Sequence, residues 1–304
     1  MDRLDELLVL TAILDAGSLA AAARRLRRSP PAITRSLAAL EARVGARLFQ
    51  RTSRQLTPTA AARRIAPRAR QLLEDYQQTI DAAEENQGTL LHGLLRVTAP
   101  SLFGRWHIAP LVRSFLKAHP GVRAELVLTN RNIDLIEEAV DVGIRIGRLT
   151  ESGLIARRVG QVRPVLSASP DYIAQRGRPK TPRDLKNHDI VLISDPPRAN
   201  EWRFRASGRE LIVRLTPKLM VTEIESALNA VKAGCGITRT LSYQVADDFS
   251  SGALVRVLRG YELPVWPVHL VFPTARHMPH TVRAFLDVAA PALEALRVIH
   301  MERL

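Results

Sequence analysis

The sequence predicts a small, mainly α-helical N-terminal domain, one long helix and a larger α/β region of two lobes. Two observations lead to this fold class. Positive charge is concentrated near the N-terminus, because residues 24–70 hold 13 arginines, no lysine and one acid, Glu41, for a net charge of +12. After about residue 89, short apolar strands alternate with helical segments, which is typical of βαβ units and a mostly parallel sheet.

The rest of the chain has an ordinary charge balance, with 30 basic and 25 acidic side chains in residues 71–304. This segregation indicates a polyanion-binding module joined to a near-neutral one. The single cysteine, Cys235, excludes an internal disulfide and a Cys-rich metal site. No stretch has the length and apolar character of a membrane span, and the first residues do not resemble a signal sequence, so we expect a cytoplasmic protein.

The N-terminal domain begins with two predicted helices. Leucines at Leu4, Leu7 and Leu14 repeat at helical spacing, and Gly17 ends this helix. Ser18 is a favourable N-cap for a second helix with the sequence LAAAARRL, whose alanines allow close approach of another helix.

A third helix is expected to begin at Ser29, because Pro30 and Pro31 fit the first turn, where backbone N–H groups lack intrahelical partners. Its apolar residues include Ile33 and Leu37, and Gly45 supplies a left-handed end. Two short helices joined by a tight turn form a helix-turn-helix, in which the N-terminal end of the second helix enters the DNA major groove.

The expected DNA contacts follow from this layout. The helix N-terminus and nearby arginines would contact phosphates, whereas Pro31, Thr34 and Arg35 would face base edges. The turn QRTSRQ would be the tip of a two-stranded wing whose second strand ends near Leu56. The alternative interpretation of the arginines at 24–28 is that they form a charged surface in contact with solvent and not with DNA. The predicted DNA-binding residues are Arg28, Ser29, Pro30, Pro31, Thr34, Arg35, Arg51, Thr52 and Arg54.

One long helix is expected over residues 58–88, after a winged domain of residues 1–57, with a kink at Pro67. An apolar stripe at steps of three and four indicates a helix-to-helix seam between two copies of the chain. Packing of the stripe on its own chain is the alternative. The predicted dimerisation residues are Ile65, Leu72, Tyr76 and Ile80.

The remaining residues, 89–304, are predicted to form two sets of alternating strands and helices. The first set has strands near 95–98, 122–129 and 141–147, with helices over 101–121 and 132–140; the second begins near Val162 and includes a helix over 224–233. The chain returns through VHLVFP to a final helix over about 281–297. Crossings near 162 and 267 predict a hinged cleft between lobe I (89–162 and 268–304) and lobe II (163–267).

Residues 1–66 resemble the N-terminal domain of LysR-type transcriptional regulators. The motifs that carry this resemblance are AGSLAAAARRL, SPPAITRSLAALEARVGARLFQRT and LTPTAA. The chain departs from the family at Pro30, where a DNA-contacting Gln is usual, and at Ala61, where Gly is usual. The resemblance implies a homodimer that reads a dyad-symmetric operator, assembly into a homotetramer, and RNA polymerase as a further candidate partner.

The resemblance continues through APSLFGR, DVGIRIG, LIARRVG, EWRF and RHMPHTVRAFLD, which are similar to the effector-binding domain of the family and, through it, to type 2 periplasmic binding proteins. It implies a small-molecule effector at strand ends and helix N-termini in the cleft. A core position is the alternative for Trp202, and Glu223 would repel an anionic effector. The expected wall residues are Ser101, Phe103, Thr129, Arg145, Ile146, Gly147, Trp202, Thr222 and Glu223.

No feature of the sequence predicts catalysis. Neither GxGxxG after a strand nor GxxxxGK[ST] is present, and Cys235 is expected to be a small buried thiol without a neighbouring histidine. His277 and His280 lack a carboxylate partner for a metal. We therefore expect a non-enzymatic regulator without cofactor or metal; the alternative is a solute-binding or enzymatic α/β protein with an incidental basic helix-turn-helix.

Overall fold

The architecture is taken from a computed structural model of the chain. It describes residues 3–51, 56–83, 91–149, 153–194, 200–206, 208–273 and 278–300. Contacts divide the chain into two compact units, which are described separately below.

The N-terminal region contains the expected three helices, a two-stranded wing and a long helix. Strands β1 and β2 pair antiparallel, and Arg51 lies opposite Leu56, so the second strand begins at Leu56 and does not end there. The elements are α1 Arg3–Ala16, α2 Leu19–Arg25, α3 Pro30–Val44, β1 Phe49–Arg51, β2 Leu56–Pro58 and α4 Ala60–Ala83.

The helix ends follow the cap residues, with one difference. Ser18 caps α2 as predicted, since its hydroxyl accepts the N–H of Ala21 at 3.1 Å. Ser29 precedes α3, but its side chain makes no cap hydrogen bond. Pro31 has no N–H to offer, and the N–H of Ala32 goes to the Ser29 carbonyl oxygen at 3.0 Å. Gly45 ends α3 with φ of 69°, a left-handed conformation that favours glycine.

The core of this region is small and apolar. Two carboxylates beside it make hydrogen bonds that connect its elements. Glu6 is buried and accepts two hydrogen bonds from the Arg43 guanidinium, at 3.0 and 3.2 Å. Glu41 accepts the N–H of Leu48 at 2.7 Å and of Phe49 at 3.2 Å, which fixes the start of the wing to α3. The fully buried core residues are Val9, Leu10, Ile13, Ala22, Ile33, Leu48 and Ala62.

The α/β region follows in chain order. Its first elements are β3 Gly93–Ala99, α5 Ser101–Phe103, a π-helical segment Gly104–Ile108, α6 Ala109–Ala118, β4 Val122–Leu128, β5 Val142–Ile146, β6 Leu154–Val162, β7 Pro164–Ala168 and α7 Pro170–Arg176. Next come the 3-10 helix Pro182–Asn187, β8 Val191–Ile193, β9 Glu201–Ala206, β10 Arg209–Arg214, β11 Leu219–Val221 and α8 Ile224–Lys232. The last are β12 Thr238–Leu241, α9 Ala246–Ser251, β13 Val255–Val257, β14 Trp266–Pro273 and α10 His280–Glu294.

Two predicted helices differ from the structure. The helix expected over 132–140 is wrong, because the segment forms only turns. Asp134 accepts the N–H groups of Ile136 and Glu137, and Ala139 turns the backbone left-handed at φ of 50°, so the turn does not continue. The helix expected over 101–121 is interrupted by the π-helical segment and ends at Ala118.

The first unit comprises Met1–Thr98, Ala109–Gly143 and Phe272–Leu286. Within it β4, β3 and the start of β5 are neighbours in that order, and β3 runs parallel to β5 with Val97 opposite Val142. The Phe115 ring on α6 meets the Phe285 ring on α10 edge-on at 5.3 Å, which joins these two helices.

The second unit comprises Ala99–Ile108, Ile144–Val271 and Asp287–Leu304. It holds a three-stranded antiparallel sheet in the order β12-β7-β13, the hairpin β9–β10, and the parallel pair β8–β11. Gly236 has φ of 140°, and a Cβ there would collide with the backbone of Asp189, so only glycine fits between the two segments.

The predicted domain boundaries stay a prediction. The junction near 162 coincides with the end of β6, and that near 267 falls inside β14, whereas the two compact units divide at other points. Within the described ranges, no single helix has both the length and the apolar character to cross a membrane; α1 and α2 taken together meet those two criteria, with a 116° bend between them.

Candidate nucleic-acid interface and effector site

The N-terminal end of α3 is the most exposed part of the helix-turn-helix. Ile33 and Leu37 are buried against α1, so the opposite face of the helix, with Arg35, is left to solvent. Thr34 is half-buried. The exposed residues are Arg24, Arg25, Arg27, Arg28, Ser29, Pro30, Pro31 and Arg35.

The turn between α2 and α3 is tight and strained. The N–H of Arg27 donates to the Arg24 carbonyl at 3.1 Å, and the N–H of Arg28 donates to the Ala23 carbonyl at 2.9 Å. These bonds place Arg27 in the left-handed region at φ of 53°, which is unfavourable for a residue with a Cβ. The turn therefore holds arginines beside the start of α3.

Arginines in this region differ in their ion pairs. Arg28 pairs with Asp5 of α1 at 2.6 Å, and hydrogen bonding to that carboxylate raises the pKa of Arg28. Its predicted DNA contact therefore competes with an intrachain ion pair. Among the described residues, no acid pairs with Arg24, Arg27 or Arg35.

The other predicted DNA contacts lie at Ser29 and on the wing. The Ser29 hydroxyl has no hydrogen-bond partner among the described residues, so it is available to a phosphate oxygen. Arg51 ends β1, and Thr52 and Arg54 lie outside the described residues.

The apolar stripe of α4 divides into two parts. Ile65 packs on the core of its own chain, and Ala69 is 1% exposed within that core. Ile65 is half-buried, which agrees with the alternative of packing on its own chain, and its contact with a partner stays a prediction. Leu72, Tyr76 and Ile80 are 53%, 49% and 43% exposed, as expected of residues that await a partner.

Among the predicted effector residues, the structure brings two segments of the second unit together. Arg105, one turn beyond Ser101, pairs with Glu225 at 2.5 Å. Glu225 lies in the first turn of α8, directly after the exposed Thr222 and Glu223. The helix start at Ser101 and the start of α8 therefore lie on either side of one ion pair.

The sequence prediction missed Arg105 and Glu225. The spacing of four residues between Ser101 and Arg105 on one expected helix was a usable signal. No local signal in the sequence indicated its partner Glu225, because Glu225 is 120 residues away from Arg105 along the chain.

Phe103 and Trp202 are core residues, which corrects their assignment to the wall. Phe103 is 0% exposed and makes edge-to-face contacts with the rings of His107 at 4.9 Å and Tyr243 at 5.3 Å. Trp202 is 2% exposed on β9, with the guanidinium of Arg239 5.3 Å from its ring centroid. Burial lowers the pKa of Arg239 to about 10. Large aromatic rings bury easily in a well-packed interior, so sequence alone does not separate wall from core.

The remaining wall candidates lie at strand ends. Arg145 and Ile146 end β5 half-buried, and burial lowers the pKa of Arg145. Gly147 donates its N–H to the Pro267 carbonyl at 2.9 Å. Thr129 belongs to the first unit, where its hydroxyl accepts the N–H of Arg131 at 3.2 Å.

A half-buried histidine lies beside this segment. The Nε2 atom of His107 is buried and has no hydrogen-bond partner among the described residues, and burial lowers the pKa of the ring against the opposing charge of Asp247. Burial also raises the pKa of the neighbouring Tyr243 to about 12, so this hydroxyl stays protonated. The aromatic cluster is thus uncharged near neutral pH.

Cys235 is exposed, contrary to the expected buried thiol. The backbone of the next residue, Gly236, lies against the backbone of Asp189, whereas the Cys235 side chain faces solvent. In the described part of the chain no three metal-ligating side chains converge; His277 lies outside it.

Comparison with known proteins agrees with this arrangement. Residues 4–63 match the family described as "Bacterial regulatory helix-turn-helix protein, lysR family", and residues 88–294 match "LysR substrate binding domain". The chain is 30% identical to the probable HTH-type transcriptional regulator LtrA of Klebsiella pneumoniae, over 97% of this chain and 96% of that protein.

Solved structures of two relatives also match most of the chain. CrgA from Neisseria meningitidis superposes with a TM-score of 0.61 at 27% identity, and AphB from Vibrio cholerae with 0.60 at 25%; each match covers 95% of this chain and 98% of that protein. The chain therefore belongs to the LysR-type transcriptional regulators, with a DNA-binding helix-turn-helix domain and a C-terminal effector-binding domain.

Proposed function

We propose that the N-terminal end of α3 reads the operator in the major groove, with Thr34 and Arg35 toward base edges and Arg24, Arg27 and Ser29 toward phosphates. The observation that carries this proposal is the exposure of unpaired arginines around a helix whose other face is buried. A helix N-terminus adds a partial positive charge at the same end. Pro30 supplies no amide side chain there, so that contact differs from the one usual in the family.

The test compares Arg35→Ala with Arg209→Ala, since both arginines are exposed and only Arg35 lies on α3. Duplexes selected from a random pool by the purified protein serve as the operator. Arg35→Ala is expected to weaken operator binding by about 1–3 kcal/mol and to reduce its ratio to random duplex. Unchanged affinity and ratio would show that α3 does not read bases.

A homodimer through the exposed half of α4 is the second part of the proposal, with tetramer assembly through the effector-binding domains. Leu72, Tyr76 and Ile80 support it because they form an exposed apolar stripe. Replacing Leu72 and Ile80 by Glu is expected to split the tetramer into dimers held by the effector-binding domains in sedimentation. Ile65→Ala is the control, which should lower the melting temperature and leave the tetramer intact, because Ile65 packs on its own core. An intact tetramer in the Glu variant would overturn this seam.

The effector is proposed to bind beside Ser101 and the start of α8, without a cofactor. The convergence of these segments at the Arg105–Glu225 pair supports this site. A thermal-shift screen of metabolites identifies ligands through the rise in melting temperature. Arg105→Gln is expected to change the shift that a hit produces, whereas Arg113→Gln, on α6, is expected to leave it unchanged. Equal shifts in both variants would contradict the site.

We further propose that the protein is non-enzymatic, acts in the cytoplasm and contacts RNA polymerase at the promoter. Deleting residues 1–88 is expected to abolish its biological activity. Retained activity would favour the alternative of a solute-binding or enzymatic protein.

A further inference from the structure

Strand β10 has one unpaired edge among the described residues. It pairs with β9 from Arg209 opposite Ala206 to Arg214 opposite Glu201. Alternate residues of a hairpin strand direct their backbone groups toward the partner strand. Leu215 donates its N–H to the Asn200 carbonyl at 3.0 Å, which fixes the alternation. The backbone groups of Glu210, Ile212 and Arg214 therefore point away from β9.

A groove of about 760 Å³ follows this edge. Four consecutive β10 residues, 211–214, line it, and consecutive strand residues point to opposite faces. The groove therefore runs along the edge of the strand and not over one face of the hairpin. Its other lining residues are Arg183 and Lys186 of the 3-10 helix, and Glu201 and Arg203 of β9.

The groove carries an excess of positive charge. Arg203 pairs with Glu210 at 3.1 Å, and Arg214 pairs with Glu201 at 3.0 Å. In the part of the chain that the structure describes, neither Arg183 nor Lys186 has an acidic partner. Between these cations Ile212 is 46% exposed. The edge thus combines free backbone donors and acceptors, an apolar contact and unpaired cations.

We propose that this edge binds an extended, acidic peptide segment of another protein, which adds a strand to β10. Strand addition uses backbone hydrogen bonds for affinity and alternate side chains for specificity. Acidic side chains of the added strand face Arg183 and Lys186, and an apolar side chain covers Ile212. The residues that line this groove are not among those assigned to the DNA-reading helix or to the effector site.

Charge and backbone chemistry disfavour two other occupants. A second copy of β10 would bring the same cations face to face, and like charges repel across an interface. A nucleic acid would satisfy the cations, but its phosphates accept hydrogen bonds only and leave the strand carbonyls without donors. A peptide strand alone complements both the cations and the alternating backbone groups.

The test measures amide hydrogen exchange of the full chain with a synthetic peptide of alternating Glu and Val. Slower exchange at Glu210, Ile212 and Arg214 is the expected result, because added strand bonds protect outward N–H groups. A Lys–Val peptide and a random DNA duplex serve as competitors for the same readout. Protection confined to the N-terminal arginine-rich region, or protection of β10 by the duplex, would overturn the proposal.

Two variants sharpen the test. Ile212→Pro removes one outward N–H at an edge strand, where proline is tolerated, and is expected to abolish β10 protection. Arg183→Gln with Lys186→Gln is expected to weaken peptide binding by about 3- to 10-fold, while the matched pair Arg205→Gln with Arg209→Gln, outside the groove, leaves it unchanged. Equal loss in both pairs, or an oligomer that dissociates on Ile212→Pro, would contradict an acidic peptide as occupant.

Discussion

Arginines serve different purposes in the helix-turn-helix and in the β9–β10 hairpin. Around α3, Arg24, Arg27 and Arg35 have no acidic partner among the described residues. In the hairpin, Arg203 and Arg214 each face a glutamate across the strands. An unneutralised cation keeps its attraction for a polyanion, whereas a paired one gives most of it to its neighbour.

The comparison teaches that the count of arginines is less informative than their pairing. Residues 24–70 contain a single acid, Glu41, and that carboxylate points to backbone N–H groups of the wing and not to arginines. Acids of α1 pair with some arginines of this segment, as Asp5 does with Arg28 and Glu6 with Arg43, whereas Arg24, Arg27 and Arg35 keep their charge without an acidic partner among the described residues.

The largest predicted effect concerns a half-buried carboxyl group in the α/β region, that of Asp141. Asp141 accepts the N–H of Arg96 at 2.7 Å, yet burial raises its pKa to about 6. Because the folded pKa exceeds the usual value of 3.8, the folded state binds its proton more tightly, and stability falls as pH rises from about 4 to about 6. Asp141→Asn keeps an acceptor and is expected to gain up to about 3 kcal/mol above pH 6 in urea unfolding.

The pH dependence of the stability gain in Asp141→Asn shows whether ionisation of Asp141 causes the gain. Its gain is expected to vanish below about pH 4, where the aspartic acid is protonated in both states. A gain that stays constant across this range, or no gain at any pH, would mean that Asp141 is not a buried charge. The groups around it are Arg96, Glu125, Arg123 and His92 of the same unit.

The next effect tests whether Glu41 is structural. Glu41→Ala leaves the N–H groups of the buried Leu48 and Phe49 without their acceptor and is expected to cost about 2 kcal/mol of unfolding free energy. Glu41→Gln retains a side-chain oxygen and is expected to cost less. DNA affinity of the folded protein should not fall in Glu41→Gln, because a negative charge has been removed. Equal destabilisation by Glu41→Ala and Glu41→Gln would mean that the negative charge of Glu41, and not its hydrogen-bond acceptor, stabilises the domain.

The smallest effect concerns the strained turn. Arg27→Gly relieves the left-handed conformation at φ of 53° and is expected to stabilise the domain by roughly 1 kcal/mol. It also removes an unpaired cation, so affinity for duplex DNA should fall. Arg27→Ala is the matched control, with the same loss of affinity and no gain in stability. A stability gain in both variants would show that charge repulsion, and not backbone strain, destabilises the turn.

Local signals predicted the elements around the DNA-reading surface. Ser18, the Pro30–Pro31 pair and Gly45 act through neighbouring backbone, so their effects are readable in a short window of sequence. The exposed half of the α4 stripe follows in the same way from helical spacing.

Contacts between distant segments were not predictable. Ile65 and Leu72 look alike in the stripe, and only the position of the N-terminal core decides that the first is covered. Trp202 and Phe103 look like wall residues until the cores around them are known, and the Arg105–Glu225 pair joins segments 120 residues apart. Cys235 is exposed although the next residue, Gly236, is packed against the distant Asp189 backbone, a contact that the local sequence does not show.

The salt dependence of binding to a random duplex tests the central claim most directly. Replacing Arg24 and Arg27 by Gln is expected to reduce the slope of log affinity against log salt by about 2, since each lost phosphate contact contributes about 0.9. Replacing the paired Arg203 and Arg214 by Gln is expected to leave the slope unchanged. The same slope in both variants would contradict the assignment of DNA binding to unpaired arginines around α3.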